Sequence, residues 1–190
     1  MIARRSRIVL SALVLALGLA ACGHKQPHPH FADDNNDGVY VDAGPITYQL
    51  QISRELNQYS VEDSQYVKGL PAGMSTSLGP TQLWFGVFLW AKNQTQEPQV
   101  STDKFRISDT LGNNYYPIKL DTELNPFAWT SMKLEPLAIE PEPETIAANG
   151  PTQGGLLLFK LNTSVYSNRP LTLWILGPDD KRLAGISLNL

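Results

Sequence analysis

Hydrophobic and polar positions along the chain fall into three regimes. Residues 8–19 form an apolar run, interrupted by Ser11 and Gly18, behind Arg4, Arg5 and Arg7; residues 23–38 are polar, carry Pro27 and Pro29, and show no periodicity; from Val39 onward the period becomes two. Ile46, Tyr48, Leu50 and Ile52 alternate with Thr47, Gln49, Gln51 and Ser53, which predicts a strand with its first set on a core and its second in water. Gly44-Pro45 separates it from a short strand at 39–41. Residues 83–92 are apolar almost throughout, with Trp84, Phe85, Val87, Phe88, Leu89 and Trp90 in close succession. Such a run predicts a central strand covered on both faces. Further strands are expected around Phe105 and Ile107, at 115–118, 154–161, 171–176 and 183–188, divided by polar turns at 109–113 and 178–181. The helix signal after residue 22 is Ser60-Val61-Glu62-Asp63, a capping start for one or two turns that Gly69 would stop. Seven to nine short strands without a long helix predict an all-β, antiparallel β-sandwich.

The apolar run at 8–19 has signal-peptide length and is too short to span a bilayer. It ends in Leu19-Ala20-Ala21-Cys22, which contains the chain's one cysteine. This sequence resembles the lipobox of bacterial lipoproteins. The resemblance implies cleavage between Ala21 and Cys22 and a covalent diacylglycerol on Cys22. Arg7 stands where a twin-arginine signal wants an apolar residue, so general secretion is expected despite Arg4-Arg5. The predicted organisation is a signal peptide at 1–21, a lipidated flexible tether at 22–38 and a sandwich domain at 39–190. A flexible coil of that length holds the domain on the order of 20 to 25 Å from the membrane.

The chain has 15 basic and 18 acidic residues, a net charge of -3. Loss of the three leader arginines makes the mature protein about -6, which disfavours nucleic acid or anionic lipid as a partner. With Cys22 acylated no thiol remains for a disulfide, so stability must come from burial. The expected location is outside the cytoplasm, anchored to the cell membrane by the N-terminal lipid.

Four clusters offer chemistry. His24, His28 and His30 suit a transition metal by spacing, but in a floppy tether they lack the second shell that makes a site selective. Asp33, Asn35 and Asp37, with Gly38 at the turn, match the first half of a calcium loop; the position of the closing bidentate glutamate falls on Gly44. No other metal or cofactor is expected. Glu140, Glu142 and Glu144, spaced by Pro141 and Pro143, would project from one side of an extended segment toward a cation or basic partner, or simply solvate a loop. Phe127 and Trp129, inside the long segment 121–151, either contact a sugar or protein partner or fold back to cap the open end of the sandwich. With every histidine in the predicted tether, the domain is expected to lack Ser-His-Asp, Cys-His and histidine-bearing zinc sites; a paired-carboxylate hydrolase stays open in principle, but no local motif fixes a pair at catalytic separation, and the protein is expected not to be an enzyme.

The run ending in Lys92-Asn93, the Gln94-Thr95-Gln96-Glu97-Pro98 turn, Phe105-Arg106-Ile107-Ser108-Asp109, Leu111-Gly112-Asn113 and Tyr115-Tyr116 together resemble the telokin-like, immunoglobulin-like domains of bacterial surface lipoproteins. Gly154-Gly155-Leu156-Leu157-Leu158-Phe159 and Pro170-Leu171-Thr172-Leu173 resemble that family's late strands. The resemblance implies an immunoglobulin-like sandwich without known catalytic residues. Two functions are expected to compete: a lipid-anchored module that binds another cell-envelope protein, and a solute- or glycan-binding lipoprotein using the 57–82 and 121–151 loops. A flat apolar patch would favour the first, a deep cleft with exposed aromatics the second.

Overall fold

The computed structural model describes residues 27–33, 39–188 and 190. Ala21, Cys22, His24, Asn35 and Asp37, and with them the leader, the lipidation site and most of the calcium-loop pattern, lie outside the described residues. The strands in chain order are β1 (Phe31–Asp33), β2 (Tyr40–Ala43), β3 (Ile46–Leu56), β4 (Gln82–Asn93), β5 (Gln99–Val100), β6 (Phe105–Ser108), β7 (Asn114–Tyr115), β8 (Lys133–Leu134), β9 (Ile139–Glu140), β10 (Gly155–Asn162), β11 (Leu171–Leu176) and β12 (Arg182–Leu188). Among the described residues there is one α-helical turn, α1 (Ile146–Asn149), capped by the Thr145 hydroxyl, which accepts from the Ala148 amide at 3.3 Å. The chain is the all-β sandwich its alternation predicts.

One sheet runs β1-β12-β11-β6-β7, and the other β10-β4-β3-β2, with β9 extending the β4 edge beyond β10. Between them lies the main core. Odd positions of β4 (Leu83, Phe85, Val87, Leu89, Ala91) meet Phe159 and Leu161 of β10, Leu173 and Ile175 of β11 and Ile186 of β12. Even positions Trp84 and Phe88 point the other way, into a second buried cluster with Leu56, Tyr66, Phe127, Leu156 and Leu158. So β4 is covered on both faces, as its apolar run requires. Gly86, also on the outer side, leaves the room that Leu56, Phe88 and Leu156 fill; a Cβ there would sit 3.1 Å from the first two.

Three expectations need correction. Ile52 was predicted on the core face with Ile46, Tyr48 and Leu50, but a bulge between Leu50 and Ile52 shifts the register, so Ile52 pairs with Phe88 on the outer face and is 40 % exposed. An extra residue in one strand inverts every later side chain. The strand expected at 115–118 is split: Tyr115 stays in the first sheet opposite Ile107, whereas Ile118 bridges Leu158 of the second. The tether predicted to end at Gly38 contains β1, which pairs in parallel with β12 through Phe31 opposite Gly185. A three-residue strand has too short a pattern to separate it from a polar linker.

Candidate interaction surfaces

The two long loops meet, and they meet over a sheet face. After β3 the chain makes a 3₁₀ turn at Asp63–Gln65, begun by the Ser60 hydroxyl accepting from the Asp63 amide at 3.0 Å. Arg54 of β3 holds that turn through Asp63, Nη2 to Oδ1 at 2.6 Å. From the other loop, buried Asn125 donates its Nδ2 to the carbonyls of Tyr66 and Lys68, both at 3.0 Å. The Asp121 amide donates to Gly69 O at 2.8 Å, an approach that only glycine allows, since a Cβ at residue 69 would lie 2.7 Å from Asp121 O. The loops form a lid on Trp84 and Phe88.

Phe127 belongs to that lid. It is 3 % exposed, with its ring 4.9 Å from the Tyr66 ring in an edge contact. As a partner or ligand contact it is ruled out by burial. Trp129, two residues on, enters the gap between the sheets: its indole donates to Thr102 O at 2.9 Å, lies against Gly155 and makes ring contacts with Tyr48 and Phe105. The folding-back alternative therefore describes both aromatics. The backbone around them closes the β10 edge, because Leu156 donates to Phe127 O at 2.7 Å and accepts from Trp129 N at 2.9 Å. Beside Trp129 a cleft of about 510 Å³ opens, floored by Ile118, Leu156 and Leu157 and rimmed by Asp103, Lys119 and Thr122.

The acidic run does not project from one side. Glu140 is 4 % exposed, paired with Ala91 on the core side of β9, while Glu142 and Glu144 are exposed. Burial pushes the Glu140 carboxyl up to about 8, opposed by a hydrogen bond with Ser101. Its Oε2 has no hydrogen-bond partner. At neutral pH this side chain is a buried neutral acid, which suits it to neither a cation nor a basic partner.

Nor are His28 and His30 in a floppy segment. The His28 amide donates to Asp42 Oδ2 at 3.0 Å, its ring nitrogen Nδ1 lies 3.3 Å from Oδ1, and the ring stacks on Tyr40. His30 Nδ1 contacts Asp42 O at 2.6 Å, and the Asp42 amide donates to Pro29 O at 3.0 Å. The expectation that no histidine reaches the folded domain is overturned. Thr47 gives its hydroxyl proton to the same carboxylate and not to the imidazole, so Thr47 is not set as a nucleophile against this His-Asp pair. Asp33 is built into β1 opposite Ser187, and among the described residues no group of three or more His, Cys, Asp or Glu could hold a metal ion.

The sheet containing β1 has an open outer face that the sequence reading missed. Its register places Phe31, Gly185, Trp174 and Arg106 side by side across β1, β12, β11 and β6. A Cβ on residue 185 would lie 2.7 Å from Trp174 and 2.9 Å from Phe31, so glycine lets the two rings approach over it, to 6.1 Å between centroids. The Arg182 guanidinium sits 4.3 Å over the Trp174 ring, and the indole donates to Ser108 Oγ at 2.8 Å. Phe31 is 52 % exposed. The readable signal was a glycine in a strand interior, which marks a close approach.

No protein family and no curated protein matches this chain. A solved structure described as a "putative lipoprotein (ycdA) from Bacillus subtilis subsp. subtilis str. 168" is similar at 10 % identity with a TM-score of 0.48, over 82 % of this chain and 39 % of that one. The chain thus spans about two fifths of that protein's length.

Proposed function

We propose that this protein is a lipid-anchored, non-catalytic interaction module outside the cytoplasm, whose open sheet face docks another cell-envelope protein. The observation that carries the reading is the row Phe31-Gly185-Trp174-Arg106, in which two aromatic rings meet on the outer side of the sandwich. Arg106 and Arg182 flank Trp174 on a chain with an excess of acidic residues, which selects a partner surface that is apolar at its centre and acidic around it. The anchor is the acylated Cys22, and the telokin-like resemblance to surface lipoproteins accords with this role. Photo-cross-linking from position 172, beside the strip, tests it in cells. One protein adduct in stoichiometric yield, lost when Cys22→Ser unties the domain, is expected. Absence of any adduct from position 172 with the anchor intact would refute the reading.

A second reading, binding of a solute or glycan, is favoured by the cleft beside Trp129. It lacks the exposed aromatic pair it needs, since Phe127 is in the lid. A neutral-sugar series that raises the melting temperature of the wild type but not of a Thr122→Trp variant would establish it.

A further inference from the structure

Residues 28–33 join the two sheets at one corner. His28 and Pro29 are tied to Asp42 of β2, on the outer side of one sheet, and His30 O accepts from the Gly185 amide at 2.8 Å where the chain enters the other. The corner lies at a defined end of the sandwich. Asp42 pairs with Thr47, and Thr47 with Lys92, near the C-terminal end of β4, while Leu56 and Trp84 pair at the opposite end. At the near end stand the turns 44–45, 94–98 and 177–181; at the far end stand 57–62, 109–113 and 163–168, with Tyr59, Val61 and Leu111 exposed there. Twelve residues of β4 separate the ends by about 40 Å.

We propose that residues 28–33 act as a strap that fixes the near end of the sandwich against the bilayer surface and turns the far end outward. The proposal rests on the lipid-anchor reading of Cys22. Its argument is chain length. Without the strap the anchor would reach the domain through residues 23–38; with His28 tied to Asp42, five residues, 23–27, are left between the acylated cysteine and the domain. From Cys22 to His28 the chain spans at most roughly 20 Å when fully extended and about 13 Å as a coil. Both are well short of the 40 Å length of the domain, so a domain strapped at one end cannot turn over. Where the strap leaves the domain there is a shallow cleft lined by His28, Tyr40, Gln49, Trp90, Lys92 and Gln94. Its cation, imidazole and aromatic side chains suit the phosphates and carbonyls of a headgroup layer.

The test uses the acylated full-length protein in vesicles of phosphatidylethanolamine with a minority of phosphatidylglycerol. Because Cys22 is the chain's one cysteine, a cysteine introduced elsewhere is a unique labelling site once the anchor is acylated. Energy transfer from a dye at Gln94→Cys or at Leu111→Cys to a headgroup acceptor is compared. Transfer severalfold higher from position 94 is expected. That difference should shrink in Asp42→Ala, and also when a Gly-Ser spacer of a dozen residues is inserted after Gln26, a change that leaves the domain untouched. Equal transfer from the two positions, or a difference that survives both changes, overturns the strap. Should mass analysis find Cys22 without lipid, the anchor reading fails by itself. Amide exchange of the Cys22→Ser chain then decides whether the strap is docked: slow exchange at Asp42 and Gly185, whose amides donate to Pro29 and His30, supports it, and fast exchange overturns it.

Discussion

Two buried carboxylates show how individual residues set this protein's response to pH. Burial pushes Asp109 upward, but hydrogen bonds from Asn113, Asn168 and Leu111 more than offset this and hold it below its ordinary value. Its stabilising contribution is present at neutral pH and disappears as pH falls through the folded value. Glu140 has the opposite sign, since burial dominates and one oxygen is unpartnered. Between its ordinary value and about 8 the folded chain keeps a proton that the unfolded chain has released, so this group lowers stability as pH rises across that window, by at most about 1.4 kcal/mol per pH unit. Urea unfolding should therefore show a midpoint that declines toward pH 8, and Glu140→Gln should remove most of that decline. A wild-type midpoint flat across the window would contradict the burial argument. Gly185 acts through space instead of charge. Gly185→Val puts a branched Cβ where Trp174 and Phe31 meet, and should cost on the order of 1 to 3 kcal/mol by thermal melting while abolishing the adduct expected from position 172.

At the scale of elements, the lid matters most. A sheet face bearing Trp84, Phe88, Leu156 and Leu158 is not stable in water, and two loops that alternation marks only as irregular supply its cover. Asn125 joins them. Asn125→Ala leaves the buried Tyr66 carbonyl and the partly buried Lys68 carbonyl without their donor and should cost about 1 to 3 kcal/mol, with faster amide exchange concentrated in residues 57–82. Uniform acceleration across β10–β12 as well would mean that the lid does not unfold as a unit. Phe127→Ala, which empties part of the same cluster, should cost roughly 3 to 5 kcal/mol by denaturant unfolding. Long irregular segments in a compact domain often carry function. Here their first task is to complete the fold, which explains why Phe127 is not an exposed contact.

The whole molecule is a sandwich with one covered face and one open face, strapped at one corner. That asymmetry gives each side a separate role: the lid side contributes stability, and in the function proposed above the open side contacts a partner while the strapped end receives the tether. The anchor carries its own prediction, that Cys22→Ser abolishes labelling with radioactive palmitate. Retained labelling would place the lipid elsewhere than on Cys22 and remove the membrane geometry built on that site.

What the sequence determined follows from local physics. Period-two alternation and turn residues are readable one strand at a time, so the all-β class, the doubly covered β4, the short turn after Ser60 and the turns at 109–113 and 178–181 were all legible. The tertiary structure decided everything that depends on which segments meet: the bulge that turned Ile52 outward, the burial of Glu140 and Phe127, the capture of His28 by Asp42, and the strip built from Phe31, Trp174 and Arg106. These contacts join residues far apart in sequence, and no local pattern encodes them. A polar segment reads the same whether it floats or is held by a buried carboxylate, and the difference lies in the partner waiting on another strand.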